Sequence, residues 1–258
     1  MSQYLLPALF AIFVWWFSTG AILYLDGLPR RTFQMSMAVA SGLALAGLYG
    51  LHVSSASTSV AAAYCAFSCG VLVWAWHEVS FLLGFVTGPR VTPSPAGCSA
   101  WTHFACAIQT ILYHEIALAG MAVAVVLVTW NAPNQVGTWT FLILWCMRQS
   151  AKLNLFLGVR NLSESFLPEH LRYLGTYFTR RRMNLLFPIS VTVSTALAVL
   201  IWRGALAADT GAFERTGLTF AGTLLALAIL EHWFMVLPLP AEGLWSWGLK
   251  SRVAPLRP

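Results

Sequence analysis

Residues 60–86 read VAAAYCAFSCGVLVWAWHEVSFLLGFV, and this stretch decides the fold class. It is apolar over more than the roughly 20 residues that an α-helix needs to cross a bilayer. It nevertheless contains the ionisable pair His77-Glu78. An ionisable group within a membrane helix is energetically costly and usually turns towards the protein interior, where it serves a function. The stretch therefore predicts a transmembrane helix with a functional polar face.

Apolar stretches of similar length lie on both sides of this one. The chain has 258 residues, of which 58% are hydrophobic and 9% charged, whereas soluble domains carry about 25% charged residues. We predict an all-α, polytopic membrane helical bundle of about seven transmembrane helices, forming a single domain over residues 1–258. A short interfacial helix is expected in the loop of residues 160–182, and a tail follows at 241–258. The other six predicted spans are residues 4–25, 32–52, 101–128, 138–157, 184–202 and 218–237.

The basic residues are distributed asymmetrically over the loops of this seven-span arrangement. One side carries only Arg203 and Arg215. The other side carries Arg30, Arg31, Arg90, Arg160, Arg172, Arg180, Arg181, Arg182, Lys250, Arg252 and Arg257. Cytoplasmic loops of membrane proteins are enriched in Lys and Arg, so we expect a periplasmic N-terminus and a cytoplasmic C-terminus. Membrane orientation then accounts for the net charge of +6. We expect the lipid bilayer as a partner and no nucleic acid.

Two further His/Glu pairs, His114-Glu115 and Glu231-His232, lie in other predicted spans. His103 precedes His114 by eleven residues, so the two histidines lie within about 20° of each other around the helix. Carboxylate and imidazole groups are ligands of iron, manganese and zinc. The spacing Glu-x-x-His of carboxylate-bridged di-iron bundles is missing from this sequence, so a metal site depends on convergence of several helices. The candidate metal ligands are Glu78, Glu115, Glu231, His77, His103, His114 and His232.

Three polar residues of the fifth predicted span belong to the same hypothesis. Arg148 and Lys152 are four residues apart and share a helix face, which suits compensation of excess carboxylate charge. Asn154 is assigned to support the polar centre, although it lies about 160° around the helix from Lys152.

The residues alone leave several interpretations of this polar centre open. It can bind iron or another transition metal, or it can hold helices together through buried polar contacts. A neutral imidazole of His77, His103 or His232 can also ligate the magnesium of bacteriochlorophyll. Paired Glu and His side chains can relay protons in a transporter, although the chain shows none of the internal repeats of many transporters.

Several short motifs resemble the PuhE-type photosynthetic complex assembly proteins of purple phototrophic bacteria. They are WHEVSFLLG at 76–84, GPR at 88–90, YHE at 113–115, KLN at 152–154, NL at 161–162, EHWF at 231–234 and PLP at 238–240. The resemblance covers nearly the whole chain. It implies a multi-pass protein of the bacterial inner, intracytoplasmic membrane, with reaction-centre or antenna subunits as partners. The resemblance supplies no catalytic residues.

Two functional hypotheses follow. The first is an inner-membrane factor for assembly of the reaction centre and antenna, or for bacteriochlorophyll supply to them. The alternative is a membrane-embedded, di-iron-like oxidase or hydroxylase, ligated by His and Glu and acting on a lipophilic tetrapyrrole or carotenoid. The sequence does not decide between an enzyme and a non-enzymatic factor.

Overall fold

The computed structural model of the chain describes residues 2–252 and shows a bundle of long helices. Seven of them, within the described part, have at least 21 residues. At 1.5 Å per residue the shortest is about 32 Å long, which matches the hydrocarbon core of a bilayer. The long helices are α1 (Ser2–Asp26), α2 (Phe33–Ser55), α3 (Val60–Leu82), α4 (Ala100–Val128), α5 (Val136–Leu157), α6 (Leu186–Leu206) and α7 (Ala212–Phe234). The all-α membrane class is confirmed.

Short helical pieces complete the described chain, and no β-strand occurs within it. They are the 3₁₀ segments Arg30–Thr32, Glu164–Phe166, Glu169–Tyr177, Ala241–Trp245 and Lys250–Arg252, and the short helix α8 (Ser246–Leu249).

Helix α5 differs from the other long helices in its polarity. Six helices of the described chain are long and apolar enough to cross a membrane, and α5 is the long helix that is not among them. Its 22 residues are sufficient in length, but they include Arg148, Gln149, Lys152 and Asn154. Because α5 packs between α3, α4, α6 and α7, protein surrounds most of these polar groups.

Side-chain caps fix where several helices begin. The hydroxyl of Ser59 accepts a hydrogen bond from the amide of Ala62 and starts α3. Ser99 does the same for Thr102 at the start of α4. Each cap satisfies one of the amide groups that lack a partner in the first helical turn.

Helix α3 lies at the centre of the bundle, in contact with α1, α2, α4, α5 and α7. A side chain at Gly70 would meet the carbonyl oxygen of Gly137 at 2.9 Å, so this glycine allows α3 and α5 to approach closely. Towards α7, the ring of Phe67 stacks on that of Phe220 with 4.3 Å between centroids. These contacts bring the polar residues of α3, α5 and α7 towards one another.

Most loops that carry basic residues meet at one end of the bundle, which we call the basic end. It comprises residues 27–32, 83–99, 158–185 and 235–252. Arg252 holds both carboxylate oxygens of Asp26, at 2.7 and 2.8 Å. The Nε–H of Arg90 donates to the hydroxyl of Tyr177 at 2.7 Å. The basic loops that were predicted to share one side of the membrane therefore lie at one end of the bundle. Arg257 lies outside the described residues. The assignment of this end to the cytoplasm stays a prediction.

The helix expected in the loop of residues 160–182 is present as the 3₁₀ segment Glu169–Tyr177. Its apolar side chains Leu171, Leu174 and Tyr177 are buried. Leu171 and Leu174 pack against α3 and α4, in a cluster with Phe81 and Ile111. The segment thus closes the basic end of the bundle, and its contact with lipid headgroups stays a prediction.

Candidate functional site: a lipophilic cavity around three glutamates

A cavity of about 440 Å³ lies between α1, α3, α4, α5 and α7, beneath the loop of residues 158–185. Cavities that bind small molecules and cofactors have volumes of about 300–1,000 Å³. Its walls are mainly apolar, and they include Ile22, Phe81, Ile108, Leu144, Phe156 and Phe178. Glu78, Glu115 and Glu231 of the three His/Glu pairs all line it, together with Arg148 and Lys152. The cavity therefore combines a lipophilic wall with a group of charged side chains.

Glu78 reaches the cavity from α3 and pairs with Arg148 of α5. The distance from Arg148 Nη2 to Glu78 Oε2 is 2.9 Å. Glu78 Oε1 is buried and has no hydrogen-bond partner among the described residues. Buried polar atoms are nearly always satisfied, so this oxygen is an unsatisfied acceptor on a residue that lines the cavity.

Glu115 of α4 has two partners on α5. Lys152 Nζ lies 2.6 Å from Glu115 Oε1, and the side-chain amide of Gln149 donates to Glu115 Oε2. Gln149 was not identified from the sequence. Its position three residues before Lys152, on the same side of the helix, is the signal that indicates it.

Glu231 of α7 is held in a different way from the other two glutamates. The indole N–H of Trp15 donates to Glu231 Oε1 at 2.6 Å. Within residues 2–252, no Lys, Arg or His forms an ion pair with Glu231. Trp15 was also missed, although an indole N–H in the middle of an apolar span usually requires an acceptor. Glu231 therefore lines the cavity without a cationic partner in contact among the described residues.

None of the four candidate histidines lines the cavity. His77, His114 and His232 are each adjacent to a glutamate that does, and neighbouring residues on a helix point about 100° apart. The ring of His232 is engaged at both nitrogens, each at 2.8 Å, by the hydroxyl of Ser150 and the carbonyl of Ala228. His103 bonds through Nδ1 to the hydroxyl of Ser94 at 2.8 Å. These two imidazoles hold neighbouring segments together.

His77 and His114 lie next to each other in the core, with 6.3 Å between ring centroids. They are 0% and 1% exposed. Both ring nitrogens of His77 and Nδ1 of His114 lack a hydrogen-bond partner in the described part of the chain. Phe81 packs on His114, and Phe141 on His77. The pair is thus embedded in aromatic side chains and separate from the cavity.

The seven candidate metal ligands do not converge on one point. Among residues 2–252, no three His, Cys, Asp or Glu side chains are grouped so that they could hold a metal ion. The physical reason is the division just described, in which the glutamates turn to the cavity and the histidines to helix interfaces. The residues present do not fit the expected metal centre, so we derive no chemistry through a metal. Metal binding itself stays an untested prediction.

Asn154, expected to support the polar centre, lies at the junction of α5 and α6. It is fully buried, and its side-chain amide donates to the carbonyl of Ser150 at 2.9 Å. Its Oδ1 accepts from the side-chain amide of Asn184 at 3.0 Å. Asn154 does not line the cavity. It therefore supports the helix pair behind the cavity and makes no direct contribution to the charged group.

The fold and the cavity define a polytopic α-helical membrane protein that encloses a lipophilic, charge-lined chamber. The chain belongs to the family described as "Protein of unknown function (DUF3623)", whose model matches residues 1–255. A similar protein in Rhodobacter capsulatus is described as an uncharacterized 30.4 kDa protein in the puhA 5' region. It is 42% identical over 256 residues, covering 97% of this chain and 93% of that protein. No solved structure matches the chain.

Proposed function

We propose that this protein binds a lipophilic pigment of the bacteriochlorophyll type in the cavity and holds it during assembly of photosynthetic complexes. The proposal is supported by the cavity and by the relative's position beside puhA, which indicates a photosynthesis gene cluster. It agrees with the PuhE-type resemblance of the sequence. The single observation that carries it is an apolar cavity that contains a buried carboxylate oxygen without a partner among the described residues.

The cavity suits part of an amphipathic ligand, because a volume of about 440 Å³ is smaller than a whole bacteriochlorophyll with its tail. A bound ligand would bury its apolar surface against Phe81, Leu144 and Phe156, away from water and lipid headgroups. This burial would stabilise the complex. Keto and ester oxygens at the edge of a tetrapyrrole accept hydrogen bonds, and Arg148 and Lys152 are donors in this cavity. Glu78 and Glu231 are acceptors, and a bacteriochlorophyll offers them no N–H or O–H donor; the part of such a pigment that a carboxylate oxygen would suit is its magnesium. A few fixed polar groups in an apolar cavity are what orients a bound small molecule.

The charged groups also explain how the site stays organised without a ligand. Glu78 and Glu115 each have a basic partner, so burying them does not leave an isolated charge. An unpaired charge in such surroundings costs several kcal/mol. The ion pairs keep α3, α4 and α5 in register, and a ligand exchanges hydrogen bonds with groups that are already in place.

Pigment retention by the purified protein tests the proposal. The protein is purified in mild detergent from a pigment-producing phototrophic host, and bound pigment is extracted and identified by absorbance and mass spectrometry. Ala107 of α4 lines the cavity, so Ala107→Phe fills part of it. Ala119 is exposed on the same helix and does not line the cavity, so Ala119→Phe is the matched control.

We expect the wild-type protein and Ala119→Phe to retain pigment and Ala107→Phe to lose it. In a strain that lacks the gene, the amount of assembled reaction centre and antenna should recover with Ala119→Phe and not with Ala107→Phe. Equal pigment in all three preparations, or none in any of them, contradicts the proposal. Elemental mass spectrometry of the wild type and of Glu231→Ala tests the oxidase hypothesis, which requires stoichiometric metal that is lost in the variant.

A further inference from the structure

Four arginines from two separate parts of the chain meet at the basic end of the bundle. Arg160 follows α5, and Arg180, Arg181 and Arg182 precede α6. All four are exposed and line a common cleft. We call them the arginine cluster. It lies outside the lipophilic cavity, since none of its members lines that chamber.

The backbone holds the two parts of the cluster together. The amide of Val159 donates to the carbonyl of Thr179 at 3.2 Å, and the amide of Arg181 donates to the carbonyl of Val159 at 3.1 Å. Gly158 adopts a φ of +118°, and a Cβ atom at this position would lie 2.9 Å from Arg181 Cγ. Only glycine combines this backbone conformation with so close an approach. The arginines are therefore brought together by the fold.

Asn184 fixes the same junction to the membrane-spanning part. Its side-chain amide donates to the carbonyl of Gly158 at 3.0 Å. Its Oδ1 accepts from the amides of Leu186 and Phe187, at 2.8 and 3.1 Å, and so caps α6. The arginine cluster is thus held next to the N-terminal end of α6.

The positive charge of the cluster is largely uncompensated. Arg180 lies 3.6 Å from Glu164, and the two side chains are 69% and 55% exposed. Such an exposed pair contributes little. No other ion pair reaches the cluster within residues 2–252. Like charges held together without anions repel one another, so the cluster favours a bound anion.

Two exposed apolar side chains follow the arginine cluster in the chain, directly before α6. Met183 is 49% exposed and Leu185 is 87% exposed, and α6 begins at Leu186. We infer that the arginine cluster binds the phosphate headgroup of an anionic phospholipid, with Met183 and Leu185 against its acyl chains. Arginine recognises phosphate through paired N–H groups. Basic sites at the membrane boundary are typical of such headgroups.

Lipid retention tests this inference independently of the cavity. The full chain is purified from membranes with mixed lipids, and its bound lipids are measured by native mass spectrometry. The test variant is Arg180→Gln/Arg181→Gln/Arg182→Gln. The control variant, Arg30→Gln/Arg31→Gln/Arg172→Gln, removes the same charge from exposed positions at the same end. We expect the wild type and the control to retain phosphatidylglycerol or cardiolipin, and the test variant to lose retention on the order of tenfold.

Two outcomes of this comparison overturn the inference. One is equal retention by the test variant and the wild type, and the other is an equal loss in the control. A third arm adds inorganic phosphate to the protein in nanodiscs of zwitterionic lipid. If phosphate raises the melting temperature as much as anionic lipid does, a soluble anion is the ligand and the lipid assignment is wrong. Should the triple variant not fold, Arg181→Gln against Arg172→Gln gives the same comparison with one charge.

Discussion

Lys152 Nζ lies 2.6 Å from Glu115 Oε1, and this contact joins α5 to α4 at the wall of the lipophilic cavity. The side chains of Lys152 and Glu115 are 19% and 23% exposed. The pair thus lies largely away from water. Removing one partner of such a pair leaves the other charge uncompensated, whereas removing both is often tolerated.

We therefore expect Lys152→Met to lower the free energy of unfolding by roughly 3 kcal/mol. The double variant Lys152→Met/Glu115→Gln should recover most of this loss. Unfolding of Lys152→Met, Glu115→Gln and the double variant in mixed detergent micelles, followed by circular dichroism, measures the three losses. A double variant that loses the sum of the two single losses would show that the contact contributes no coupling.

The backbone at Gly158 gives a second prediction. Gly158→Ala forces a side chain into a left-handed conformation and against Arg181, so we expect a loss of about 1–3 kcal/mol. Gly120 lies in α4, where a Cβ atom added to it would meet nothing within 4 Å, and Gly120→Ala should be neutral or slightly stabilising. Melting temperatures of the two variants provide the comparison, and equal values would contradict the assigned strain.

We expect the buried histidines His77 and His232 to differ in their effect on stability when each is replaced by leucine. His77→Leu removes an imidazole that has no hydrogen-bond partner among the described residues, so stability should be unchanged or higher. His232→Leu leaves Ser150 and the carbonyl of Ala228 without this partner, at a cost of about 1–3 kcal/mol. Parallel chemical unfolding distinguishes them. A large loss in His77→Leu would reveal a ligand of this imidazole.

His170, in the loop at the basic end, predicts a dependence of stability on pH. Burial lowers its pKa from the ordinary value of 6.5, and the charges of Arg30 and Arg252 lower it further. The unfolded chain therefore binds the proton more readily than the folded protein. The contribution of His170 is complete above pH 6.5 and declines as the pH falls towards the lowered pKa.

The melting temperature of the wild type at pH 8, 6.5 and 5, compared with that of His170→Asn, isolates this contribution. The wild type should lose more stability than the variant on acidification. Identical profiles would show that His170 titrates alike in both states.

Much of the fold follows from local properties of the sequence. The stretch 60–86 predicts a membrane helix, and α3 occupies Val60–Leu82, because length and apolarity act within one segment. The predicted helix extends four residues past the observed end at Leu82. The helix ends earlier because Gly84, at a φ of +82°, lets the chain turn back. The amides of Phe85 and Val86 then both donate to the carbonyl of Ser80.

The composition of the site could be predicted only in part. The three glutamates, Arg148 and Lys152 were identified because charged residues in apolar spans are conspicuous. His77 and Glu78 necessarily point about 100° apart. Which of them faces the cavity was not predicted, because it depends on the rotation of α3 against its neighbours. The contact of Trp15 with Glu231 spans 216 positions of the chain, and no local pattern predicts such a distant pair.

Native mass spectrometry of the protein from pigment-producing cells tests the central claim most directly. The wild type should carry one additional mass that matches a bacteriochlorophyll-type pigment, and Ala107→Phe should carry none. Glu78→Gln should weaken retention, since an amide replaces the carboxylate that lines the cavity and pairs with Arg148. Wild-type protein without any pigment mass, in preparations that keep their lipids, would contradict the account.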